Sequence, residues 1–69
     1  MHAVDTLLTF LVEDTRSVAA RMAAAGFSEG ELRGAWNYAR QADYTEPTGL
    51  GQDRLTSAGK ARAFELFDR

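Results

Sequence analysis

Four side chains between positions 33 and 41 are of the types that read base edges in duplex DNA. An arginine can donate two parallel hydrogen bonds to guanine, and asparagine or glutamine can pair in the same way with adenine. Arg33, Asn37, Arg40 and Gln41 supply that chemistry. At about 100° per residue they fall on one side of a helix, opposite Leu32, Ala35, Trp36, Ala39 and Ala42. Gly30 and Gly34 border the polar face, where a missing side chain suits close approach by another molecule. Charge pulls the other way, because residues 29–43 set Glu29, Glu31 and Asp43 against only two arginines. Phosphate contacts are therefore expected from flanking elements, chiefly Arg54 and Lys60, with Arg16 and Arg21 as further charge.

The remaining chain is poor in groups that catalyse or bind metals. His2 is its one histidine and it has no cysteine, so the usual nitrogen and sulfur zinc sets are excluded within one chain. Glu13 and Asp14 are sequence neighbours, which on a helix point about 100° apart and form no acid–base pair. The Gly49-Leu50-Gly51 stretch lacks the lysine and the following helix of a phosphate loop. Neither an enzyme, a metal site nor a cofactor is expected.

At 69 residues the chain reads as a single domain, 1–69, whose core is only marginally sufficient. Stability has to come from packing, which association into a homodimer can assist. A formal charge of −2 argues against a general nucleic-acid coat and leaves a local basic face open. The apolar run from Leu7 to Val12 is too short to span a membrane and is followed by acids, so a cytoplasmic protein with no membrane partner is expected.

The elements that position the polar face follow from periodicity and punctuation. Val4, Leu7, Leu8, Leu11 and Val12 have helix spacing, and so do Val18, Ala19 and Met22. Either one helix covers about 4–25, or the polar patch at 13–17 breaks it, with Asp14, Thr15 or Ser17 capping a second helix. The break is the preferred reading, because five polar residues sit badly in a buried seam. Gly26 stops that helix, and Ser28 with Glu31 forms the signature of a capping box. A third helix over about 29–43 follows, then a loop at 45–53 containing Pro47, Gly49 and Gly51. A short extended piece leads to a Thr56 N-cap and a last helix. Trp36 is expected in the core against Leu8, Leu11 or Val12 and against Phe64 or Phe67.

The segment "RLTSAGKARAFEL" (54–66) resembles the strand-into-helix segment that closes winged-helix domains of MarR- and PadR-like regulators, with its Leu-Thr-x-x-Gly-Lys pattern. The resemblance implies a mainly α, three- to four-helix winged-helix-like domain in which the helix before the wing reads DNA. The stretch between Tyr44 and Leu55 allows only a short or degenerate wing. The corner fits the general helix-turn-helix pattern at Ala25, Gly26, Phe27, Leu32 and Ala35, and departs from it at Arg21 and Met22. Residues 4–14 and 24–38 also resemble the N-terminal part of the Smg family over about half the chain.

Two function classes are expected. One is a small DNA-binding regulator with the helix at 29–43 as reader. The other is a protein-interaction module, or an inhibitor of DNA-handling machinery, on the same scaffold without DNA binding. Phe10, Tyr38, Tyr44 and Leu50 would then form its contact surface, since aromatic side chains are favoured at interfaces.

Overall fold

The computed structural model describes residues 3–14, 16–49 and 51–67, and His2, Thr15, Leu50 and the side chain of Phe67 fall outside that description. Apolar residues at 4, 7, 8 and 11 line the inner side of α1 (Ala3–Glu13), where all four are buried. The polar patch does break the helix. Ser17 adopts a left-handed conformation (φ 57°) and α2 (Val18–Ala24) starts directly after it. Ser17 stands at the N-cap but its side chain makes no cap bond. The turn is held by Asp14, whose carboxylate accepts from the Arg16 backbone N–H at 2.9 Å and from its guanidinium at 3.0 Å.

Arg21 explains its own departure from the helix-turn-helix pattern. Its Nη2 donates to the carbonyls of Phe10, Asp14 and Arg16, and its guanidinium lies 5.1 Å from the centroid of the Phe10 ring. The Asp14 and Arg16 carbonyls lie past the end of α1, where helical partners run out, so a cation answers them by hydrogen bond and by charge. An apolar side chain here would take that donor away from the turn after α1.

The next corner follows the sequence closely. Gly26 is left-handed (φ 97°), and Phe27 N–H reaches back to the Met22 carbonyl at 3.1 Å while Gly26 N–H reaches Ala23 at 3.0 Å. These are the two bonds of a Schellman stop. Ser28 then caps α3 (Glu29–Gln41) through a reciprocal box, its hydroxyl accepting from Glu31 N–H at 3.1 Å and its own N–H donating to Glu31 Oε1 at 3.0 Å. The helix is two residues shorter than expected. Asp43 turns left-handed (φ 66°) and Tyr44 N–H bonds the Ala39 carbonyl at 2.8 Å, a second Schellman stop built on aspartate.

Past that stop, β1 (Thr45–Glu46) pairs antiparallel with β2 (Arg54–Leu55), in the register Thr45 opposite Leu55 and Glu46 opposite Arg54. The wing is therefore two residues deep. The Leu-Thr-x-x-Gly-Lys segment has a clear mechanical reading. Leu55 packs against the core. Thr56 N–H donates to the Tyr44 carbonyl at 2.9 Å, and its hydroxyl donates to the Asp43 carbonyl while accepting from Gly59 N–H at 3.0 Å, which caps α4 (Ser57–Phe67). Gly59 is buried, and a Cβ there would lie 2.9 Å from the Tyr44 carbonyl carbon and nearer still to its oxygen. Only glycine lets the first turn of α4 seat on that backbone.

The core is one cluster of Val4, Leu7, Leu8, Leu11, Val18, Met22, Ala35, Ala39 and Ala63, with α1 packed on α2, α3 and α4. Alanine at 35, 39 and 63 brings helix backbones close. Two expectations need correction. Phe64 is 56 % exposed and is not core, because Ala63 takes the inward position of its turn. Trp36 is half-buried at the edge of the cluster, since Ala35 and Ala39 hold the centre of the α3 face. The result is a mainly helical, winged-helix-like domain with a short wing.

Gly59→Ala is expected to lower the melting temperature sharply, beyond the about 1–3 kcal/mol of ordinary overpacking, because backbone must move. Ser28→Ala should cost about 0.5–2 kcal/mol, the worth of an N-cap. Denaturant unfolding checks both. The Asp14 carboxyl is held down to about 2 from its ordinary 3.8, first by the Arg16 side chain and then by the Arg16 backbone N–H. Its contribution to stability is thus present above the ordinary value and lost as pH falls toward 2. An NMR titration of Asp14 should show that low midpoint, and Arg16→Ala should return it toward 3.8.

Candidate nucleic-acid interface

The capping box sets the start of α3 and the aspartate stop sets its end, so the helix has a defined outer face. Arg33, Asn37, Arg40 and Gln41 are all exposed on it, together with Gly30. The side chains of Arg33, Asn37 and Gln41 make no hydrogen bond or ion pair among the described residues. Leu32, Trp36, Glu29, Arg33 and Asn37 line one shallow cleft, while Ala19, Trp36, Arg40 and residues 51–53 line a second between α2, α3 and the wing loop. Trp36 is shared by both clefts, so this edge residue of the core is also a wall of the candidate interface. Gly30 and Gly34 serve no close approach within the chain, since a Cβ at 30 would meet only the Ser28 hydroxyl at 3.9 Å and one at 34 nothing within 4 Å.

Arg40 differs from the other three. Its Nη2 donates to Asp53 at 2.8 and 2.9 Å and its Nε at 3.1 Å, so the guanidinium is clamped to a carboxylate 13 positions away. The Asp53 side chain is 6 % exposed, the Arg40 side chain 60 %. A buried carboxylate needs a paired cation. The pair ties the wing loop to α3. Sequence reading missed Asp53, and no local pattern marks it, because its partner is fixed only when the chain folds back after α3.

The flanking cations are mostly committed. Arg54 pairs with Glu46 across the hairpin at 2.8 Å, Arg16 with Asp14 at 3.0 Å, and Arg62 with Asp5 at 3.6 Å and Glu65 at 3.3 Å. Arg21 is held by the carbonyls of Phe10, Asp14 and Arg16. Among the described residues, Arg33 and Lys60 are the basic side chains with neither an ion pair nor a hydrogen bond. Lys60 is exposed on α4, which packs mainly on α1 and β2, so the fold does not bring it onto the α3 face.

The alternative contact residues separate in space and burial. Tyr38 is 56 % exposed and lines a shallow cleft with Ala3, Val4, Phe27 and Gly34, on a different side of α3 from Arg33. Tyr44 is half-buried against the core and Phe10 is half-buried beneath Arg21. Leu50 lies outside the described residues. No group of three or more His, Asp or Glu side chains able to hold a metal occurs among the described residues, and no helix of the described chain is long and apolar enough to cross a membrane.

No protein-family model matches this chain, and neither a curated protein nor a solved structure matches it.

Arg40→Ala leaves Asp53 buried without its cation. We expect this variant to lose more stability than Arg33→Ala, whose side chain has no internal partner, with a difference of about 1–3 kcal/mol. Urea unfolding of the two variants compares them directly.

Proposed function

We propose that this chain is a small cytoplasmic DNA-binding regulator, with α3 in the major groove and the short wing at the backbone. The observation that carries this reading is the outer face of α3. Three side chains suited to base edges stand there exposed and uncommitted, on the second helix of a helix-turn-helix corner and beside a hairpin. Arg33, Asn37 and Gln41 would read bases, Arg40 would act from its clamp, and Arg54 on the hairpin would meet phosphates, while Lys60 on α4 lies away from this face. Because most cations are paired internally, few phosphates would be neutralised, about two to four per protomer. One protomer offers a small footprint, so a two-fold dimer on paired half-sites suits it.

A second reading is favoured by the exposed Tyr38 beside Val4 and Phe27, on a surface whose nearby cation, Arg62, is paired with Asp5. On that reading the scaffold docks a protein and α3 contacts no DNA.

Titration with random-sequence duplex at about 50 mM salt separates them. The sole tryptophan, Trp36, reports the event by its fluorescence. We expect saturable binding, weakened at least about tenfold by Arg33→Ala with Asn37→Ala, as the loss of base and backbone contacts predicts. No change in emission and no retained duplex at low salt would overturn the DNA reading, and binding indifferent to the double variant would remove α3 as the reader.

A further inference from the structure

The clamp between Arg40 and Asp53 has a consequence for what Arg40 can recognise. Of the three guanidinium nitrogens, Nε and Nη2 are taken by the carboxylate, and Nη1 has no partner among the described residues. The side chain remains 60 % exposed although its carboxylate partner is buried. An unrestrained arginine gives up much rotamer freedom when it makes a directional contact. Arg40 has already given it up in folding.

Charge then decides the kind of acceptor. The pair is neutral as a unit, so its long-range attraction for a phosphate is largely cancelled by Asp53. The N–H groups of Nη1 persist and are directional. A neutral acceptor at a fixed place, such as the O6 or N7 of guanine in the major groove, suits that donor better than a mobile anion does. We infer that Asp53 is a positioning residue that holds Arg40 in one pose, with its free Nη1 presented to a guanine edge. This inference rests on the DNA reading above and adds to it a base preference and a residue acting through another.

The test uses a pool of random-sequence duplexes, from which wild-type protein and the Asp53→Asn and Arg40→Gln variants each retain a fraction that is sequenced. Wild type should enrich guanine at one position per protomer, and replacing that guanine by 7-deazaguanine, which lacks N7, should weaken binding about tenfold. Asp53→Asn should lose the preference at that position. Its salt dependence should steepen by about one counterion, because the released Arg40 becomes a net cation. In the Arg40→Gln background, Asp53→Asn should alter the base preference no further, so that the effect of Asp53 on this preference runs through Arg40. If Asp53→Asn melts below the assay temperature, loss of the same guanine preference in Arg40→Gln carries the result. An Asp53→Asn protein with unchanged preference and unchanged salt slope overturns the inference while leaving DNA binding intact. So does an equal effect of Asp53→Asn on the base preference with and without Arg40. Wild type that retains no duplex defeats the underlying DNA reading instead.

Discussion

The seating of Gly59 on the Tyr44 carbonyl is the constraint on which the rest of the molecule depends. One short piece of backbone, Asp43–Tyr44, ends α3, begins the hairpin, and receives the N-cap threonine of α4. A helix, a wing and a closing helix are thereby set at one junction with no disulfide and little core to spare. With any larger residue at 59, α4 must lift off that backbone. The Thr56 bonds to Asp43 and Tyr44 would loosen with it, and the hairpin would no longer be held beside α3.

The charges obey a similar economy. The chain is acidic, yet its cations are not scattered at random over the surface. Arg16, Arg21, Arg54 and Arg62 each brace a turn, a helix end, a strand pair or a helix contact. Exposed pairs of this kind add little stability one by one. Their main effect is on what remains: an α3 face with one free arginine, one clamped arginine and two amides. On the proposed DNA reading, such a face would rely on directional hydrogen bonds more than on bulk attraction, in keeping with a net charge of −2.

Much of the architecture was legible because it depends on neighbours in sequence. The Gly26 stop, the Ser28–Glu31 box and the Thr56 cap are local devices, and each appears where its residues stand. The break at 13–17 was readable for the same reason. Contacts that close over longer spans were not. Arg21 looked like an error in a helix-turn-helix pattern until the end of α1 was placed beside it, and Asp53 carried no signal before the chain turned back. Phe64 and Trp36 misled because hydrophobic size was read as depth. In this small domain alanines 35, 39 and 63 hold fully buried positions of the core, and the rings of Trp36 and Phe64 are left at its rim or outside it.

Backbone amide NMR of the labelled protein, titrated with a random-sequence duplex, tests the central claim most directly. The account predicts that shifts concentrate on the outer face of α3, at Arg33, Asn37 and Gln41, and along the hairpin from Glu46 to Arg54. Unchanged spectra, or shifts confined to Val4, Phe27 and Tyr38, would contradict it.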